Sequence, residues 1–251
     1  MPKAPSYCYW SISTSEYADQ MQACVDSARS CGVFKDFHIL TNTSLEGCEC
    51  YDLMDFQAQE GLFPVFYLKL AMSRLNYDYF IWLDADTRFV SVPENPLGPA
   101  RHSPLHAPLS HQLPEEPGSA PVSNSRKSPD CERMLRHGLP GPVYACETAF
   151  WIVHHDAVEL VYDLTRDYWQ KTRGEASAAD FAEAFGFAVQ ILCADPTNHL
   201  LTAWPRLWEQ AGHKERLGEA SGTGNAAILH FNKGHSLRRP LIKSQGGGAT
   251  P

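Results

Sequence analysis

The sequence predicts an α/β fold in one domain: a Rossmann-like, mixed but mainly parallel sheet flanked by helices. Three observations carry this. Tyr7 to Ser13 and Phe37 to Thr41 read as short strands rich in aromatic and β-branched residues, with a helical pattern between them, and this is a β-α-β unit. Phe80-Ile81-Trp82-Leu83 is a continuous apolar run, the pattern of a strand buried on both faces of a sheet. The chain has 251 residues, 43% of them hydrophobic, enough for one large α/β domain of ordinary composition.

The first strand ends in small hydroxyls, Ser11, Ser13 and Thr14. Ser15 with Glu16 and Asp19 offers a helix start. That helix is predicted to run to about Ser30, with Met21, Cys24, Val25 and Ala28 inward and Gly32 ending it. No Gly-x-Gly-x-x-Gly follows the first strand, which disfavours a dinucleotide site. Thr43 to Gln59 is polar, a loop with a short strand. Pro64 suits a first helical turn, and the helix is predicted to reach about Asn76 with Phe66, Leu70, Met72 and Leu75 buried. It carries Lys69, a residue type that is most often solvated.

The apolar run at Phe80 then ends in Asp84-Ala85-Asp86. Ligands of open α/β sheets bind just outside the carboxyl ends of strands. Residues two apart on an extended chain point the same way, so both carboxylates are expected at one site. They repel unless a cation sits between them, and a divalent metal with oxygen ligands fits that place. The plain alternative is an acidic turn after a strand.

Residues 91–142 change character. They are rich in proline, with scattered His, and show no sustained period, so an irregular excursion is expected. Leu105 to Leu109 is the candidate strand within it. His102, His106 and His111 share no helix face and read as solvated loop residues. Order resumes at Val143 to Val153, an apolar stretch that contains Glu147. Burying a lone Glu is costly unless it is bound, which makes Glu147 a site candidate; a partly exposed Glu at a strand start fits the pattern equally well. Helices are predicted at about 156–171, with Val158, Val161, Tyr162, Leu164 and Tyr168 inward, and at about 178–193, with Phe181, Phe185, Val189 and Leu192 inward. Asp180 and Glu183 sit on the first turns of the second. Trp204 to Trp208 is a short aromatic element, Gly218 to Gly224 a linker, Ala226 to Phe231 a last strand, and 241–251 a disordered tail.

The net charge of −8 argues against a nucleic-acid binder. No run matches a membrane span, and the N-terminus lacks the apolar stretch of a signal peptide. A cytoplasmic protein is therefore expected, with its eight cysteines as free thiols. Cys48-Glu49-Cys50 lacks a second pair, which disfavours zinc.

Two stretches carry a family resemblance. The strand Tyr77 to Arg88, with its Asp84-Ala85-Asp86 ending, resembles the Asp-x-Asp element of GT-A-fold glycosyltransferases. Ile228-Leu229-His230-Phe231-Asn232-Lys233-Gly234 resembles the late strand and loop of retaining members related to glycogenin. In layout, Tyr144 to Trp208 is similar to the acceptor half of the blood-group A/B transferases. The family's His-Asp-Glu reads Phe181-Ala182-Glu183 here, and its Lys-Pro-Trp ending is replaced by Arg238-Arg239-Pro240.

The resemblance implies a metal-dependent hexosyltransferase. It would move a sugar from a nucleotide sugar, a UDP-sugar by expectation, to a glycan or other hydroxyl acceptor with retention. Residues 1–90 would be the donor half and 143–240 the acceptor half with its closing loop. Asp84 and Asp86 would hold Mn²⁺ or Mg²⁺, with His230 as third ligand. Lys233 with Arg238 or Arg239 would meet the diphosphate. Tyr9, Trp10 and Ser11 would contact base and ribose, Asp84 the ribose or metal, and Lys69 the donor. Glu183, Asp180 and Glu147 are the carboxylates available to the sugar or acceptor. Two other classes compete. Haloacid-dehalogenase-type phosphatases also use Asp-x-Asp, but want Thr or Val where Arg88 stands and place the motif on a first strand. A non-catalytic carbohydrate-binding protein would suit the aromatic content.

Overall fold

The computed structural model describes residues 4–55, 66–101, 103–110, 128–140, 143–146, 148–175, 179–193, 208–211 and 226–231. Strand β1 (Tyr7–Ser13) is almost wholly buried, and β2 (Phe37–Thr41) is buried throughout. Between them a 3₁₀ turn, Ser15–Tyr17, leads into helix α1 (Ala18–Ser30), which turns Met21, Cys24, Val25 and Ala28 inward as their spacing requires. Gly32 follows with φ +85°, the left-handed conformation that closes a helix at low cost. Edge strand β3 (Glu49–Asp52) lies parallel to β2 and is mostly exposed.

Helix α2 (Phe66–Arg74) precedes β4 (Tyr79–Leu83). β4 inserts beside β1 in parallel, with Cys8 opposite Phe80 and Trp10 opposite Trp82. On its other side lies β9 (Phe150–His154), antiparallel, with Trp82 opposite Trp151. The short β6 (Leu105–His106) pairs antiparallel with β9. The six-stranded order is therefore β3-β2-β1-β4-β9-β6, the mainly parallel, mixed sheet that the sequence predicts.

Both faces of this sheet are covered, so strand alternation divides the core in two. Trp10, Phe80, Trp82 and Trp151 face one layer with Tyr67 and Leu70 of α2. Helices α4 (Val158–Thr172) and α5 (Phe181–Leu192) close that layer. Tyr9, Ile39, Ile81 and Phe150 face the other, against α1. The indole rings meet at angles that suit their quadrupoles: Trp10 is edge-on to Trp82 and Trp151, at 5.4 and 5.3 Å between centroids, and Trp82 stacks on Trp151 at 5.5 Å.

A second sheet stands at the exit of β4. It runs β10-β11-β5, from β5 (Thr87–Phe89), β10 (Trp208–Ala211) and β11 (Ile228–Phe231). A two-stranded ladder joins β7 (Leu109–Ser110) to β8 (Ala145–Cys146).

The irregular reading of 91–142 is corrected in part. Leu105 to Leu109 is two short strands rather than one, and Ser128–Arg136 is helix α3. This helix sets Met134 into a core cluster with Leu139, Val143 and Tyr168, and a charged contact adds to that hold. Arg133 is buried and its Nε donates to Glu183 Oε1 of α5 at 2.7 Å. Of the aromatic element expected at Trp204 to Trp208 only Trp208 is described, as the first residue of β10; residues 204–207 lie outside the described residues, as do the linker 218–224 and the tail 241–251. No helix among the described residues is long and apolar enough to cross a membrane.

Candidate metal centre

β4 leaves the sheet at Asp84. The Asp84 N–H still donates to Ala149 O, at 3.0 Å, but its carbonyl turns to a different use. It accepts both the Thr87 N–H, at 3.1 Å, and the Thr87 hydroxyl, at 2.7 Å. These bonds close a four-residue turn with Ala85 and Asp86 at its tip, and Asp is well suited to a turn's first position. The two carboxylates are thus brought together by a turn, not by the alternation of an extended chain. Thr87 Oγ1 lies 3.2 Å from the Cys24 thiol of α1. Its one proton goes to Asp84, so the thiol is the donor. Burial raises the Cys24 thiol's pKa, which keeps that proton in place.

β11 runs antiparallel to β5 with His230 opposite Thr87. That register sets the imidazole beside the turn, with Nε2 3.2 Å from Asp86 Oδ1. One ligand atom from each of Asp84, Asp86 and His230 lies within 4.8 Å of the others. Two donors about 2.1 Å from one ion are at most about 4.2 Å apart, so a small closing movement would seat all three on one ion. Two carboxylates and an imidazole fit Mn²⁺ well and Mg²⁺ acceptably, since carboxylates suit both and imidazole favours the softer ion. The side chains of His230 and Asp86 are 6% and 17% exposed, so the centre is shielded but open on the carboxylate side.

Other residues orient this set. The Trp82 indole N–H donates to Asp84 Oδ1 at 2.8 Å. Tyr67 stacks on Trp82 at 4.6 Å. Burial, and then the Asp84 charge, push its phenol well above the usual range, so it stays protonated. Arg88 is 4% exposed and turns back onto the turn's carbonyls. No motif points to Trp82, Tyr67 or Arg88. Their sequence signal is only that they lie close to Asp84 along one strand or the helix before it.

The remaining expected residues fall in different places. Tyr9 and Trp10 are core side chains, 1% and 0% exposed, because β1 is covered on both faces. Ser11 is buried and donates its hydroxyl to Leu83 O at 2.5 Å, tying β1 to the last residue of β4. All three therefore serve the scaffold rather than present a side chain to a nucleotide. The Lys69 ammonium lies over the Tyr162 ring of α4, at 5.3 Å. Asp180 caps α5, its Oδ1 accepting the Glu183 N–H at 2.8 Å. Glu183 is 4% exposed, and its Oε1 also accepts the Tyr168 hydroxyl at 2.6 Å. Its carboxylate is committed to Arg133 and Tyr168. Glu147, Lys233, Arg238 and Arg239 lie outside the described residues.

No protein-family model matches the chain, and no curated protein does. Solved structures do. An active-site mutant of LgtC is 12% identical, covering 89% of this chain and 86% of its own, with a TM-score of 0.54. The galactosyltransferase LgtC with donor and acceptor sugar analogues gives 12% identity over the same shares, with a TM-score of 0.52. The bifunctional glycosyltransferase WbbM gives 9% identity and a TM-score of 0.59, covering 92% of this chain and 46% of its own. At such identities the likeness is one of fold: the chain has the mixed, mainly parallel sheet of GT-A glycosyltransferases.

Proposed function

We propose that this protein is a metal-dependent glycosyltransferase that moves a sugar from a nucleoside-diphosphate sugar, a UDP-sugar, to a glycan or other hydroxyl acceptor. The observation that carries the proposal is the convergence of Asp84, Asp86 and His230 at the exit of β4, within 4.8 Å of one another. A strand end of this kind is where open α/β sheets receive ligands. The fold likeness to LgtC, described with donor and acceptor sugar analogues, supports the same reading.

A bound Mn²⁺ or Mg²⁺ would act as a Lewis acid that offsets charge on the departing diphosphate. The chain's own residues prepare for it. Asp84 and Asp86 supply two anionic oxygens, and His230 an imidazole nitrogen. Trp82 holds one Asp84 oxygen by its N–H, while the doubly bonded Thr87 fixes the turn. Retention is the proposed stereochemistry, because a strand-end His in this place resembles the glycogenin-like families. Asp180 and Glu147 are the proposed carboxylates for the sugar or acceptor, Lys233 with Arg238 or Arg239 the proposed phosphate contacts.

The test is incubation of the protein with Mn²⁺ and a panel of nucleotide sugars, with donor hydrolysis followed by chromatography. Slow hydrolysis of one donor that disappears in Asp86→Ala is expected. Phosphate release from simple monoesters would favour a phosphatase instead. Sugar binding without turnover would favour a carbohydrate-binding protein. Undiminished hydrolysis in Asp86→Ala would overturn the metal role.

A further inference from the structure

We infer that Arg88 is a positioning residue of the metal centre: its guanidinium holds the peptide carbonyls on both sides of Asp86 and fixes that side chain's aim before any ion arrives. The inference deepens the metal-dependent reading above and rests on it. Arg88 Nη1 donates to Ala85 O at 3.1 Å and to Thr87 O at 2.5 Å. Ala85 and Thr87 are the two neighbours of Asp86 in the chain. One nitrogen thus ties together both ends of the short segment that carries the ligand.

The setting of Arg88 is unusual for a cation. It is 4% exposed, on β5, opposite Leu229 and next to the Thr87–His230 pair. Burying a guanidinium is costly unless it is paired, and a buried arginine normally aims its fork at a carboxylate. Here the bonds go to turn backbone, and Nε has no hydrogen-bond partner among the described residues. Burial disfavours the charged guanidinium, and the neighbouring Cys24, Asp86 and Asp26 offset only part of that cost. An arginine kept in so expensive a place, and bonded among the described residues to the ligand-bearing turn, is accounted for by the turn it shapes.

Three roles predict different signs. A mere electrostatic neighbour repels a divalent cation, so its removal would tighten metal binding. A merely structural residue would lower stability and leave affinity unchanged below the unfolding range. A positioning residue weakens binding when removed, by about 10- to 100-fold for partners of metal ligands. The experiment titrates the full chain with Mn²⁺ and reads free Mn²⁺ by electron paramagnetic resonance, for wild type, Asp86→Ala, Arg88→Met and Arg88→Gln. The expected result is Mn²⁺ binding lost in Asp86→Ala and weakened about 10- to 100-fold in Arg88→Met. Arg88→Gln, which keeps an amide donor, should fall between Arg88→Met and wild type. Affinity equal to or tighter than wild type in Arg88→Met overturns the inference; should that variant not fold, wild-type affinity in Arg88→Gln does so. A wild type that binds no Mn²⁺ overturns the metal reading itself, and the two failures are told apart by that control.

Discussion

Asp84 Oδ1 receives the Trp82 indole N–H at 2.8 Å, and this bond helps set how the carboxylate presents itself. A carboxylate has about four lone-pair sites, so the indole leaves room for a cation while removing rotational freedom. Trp82→Phe keeps an aromatic ring, though a smaller one, between Tyr67 and Trp151 but deletes the donor. It should weaken Mn²⁺ binding about tenfold, as loss of a partner to a ligand does, with far-UV circular dichroism and a cooperative unfolding transition showing the fold intact. Unchanged Mn²⁺ affinity in a calorimetric titration would remove this role from Trp82. Asp84, Asp86 and His230 were legible in the sequence because each ends or closes a strand with a recognisable pattern. The side chains of Tyr9 and Trp10 lie in the core for a physical reason. Alternation gives an outward-facing residue only when one sheet face is open, and β1 has none. Trp82 and Arg88 were invisible because their partners are set by the turn, and that turn's bonds from Asp84 to Thr87 are not written in residue type alone.

At the scale of elements, α3 is held by an apolar contact through Met134 and by an ion pair. Its Arg133 reaches Glu183 on α5, beside Tyr168 of α4. Burial and the Glu183 charge raise the Tyr168 phenol far above its ordinary value, so it remains a donor. Glu183 was expected among the catalytic carboxylates, and its buried ion pair offers a decisive comparison. Glu183→Gln removes the charge 2.7 Å from Arg133 and leaves it the longer Glu175 contact at 3.9 Å, and breaking a buried pair costs up to about 3–5 kcal/mol. Urea unfolding should show that loss, and Arg133→Met combined with Glu183→Leu should recover much of it. A sugar-facing Glu183 would do the opposite: Glu183→Gln would lower turnover with the unfolding midpoint unmoved. The same helix packs tightly on β8. A methyl on Gly186 would lie 2.9 Å from Cys146 Cβ, nearer than such contacts allow. Gly186→Ala should therefore cost about 1–3 kcal/mol by overpacking, read in the same unfolding experiment.

At the scale of the molecule, the centre joins two sheets. Asp84 and Asp86 follow β4 of the six-stranded sheet, whereas His230 belongs to β11 of the three-stranded one. The β-α-β start could be read locally, since β2 follows β1 within one crossover, and β4 by its buried apolar run alone, although its partners β1 and β9 lie far from it in the chain. The pairing of β5 with β11 could not, because these strands are short and their partners lie far apart in the chain. A metal held by all three ligands would act as a clasp between the sheets. Any ion that binds only the native form at a hundredfold excess over its Kd stabilises by about 2.7 kcal/mol. For a chain of this size that is a rise in Tm of about 5–10 °C. The clasp further requires the gain to be local. Amides of β5 and β11 should slow in hydrogen exchange when Mn²⁺ is added, more than those of β2 and β3 at the far edge of the large sheet. In His230→Ala the ion is left with carboxylates from one sheet only, so the slowing at β11 should vanish even where weak Mn²⁺ binding survives. Equal protection of β11 in His230→Ala and wild type would show that the ion sits on the turn alone and that the small sheet owes it nothing.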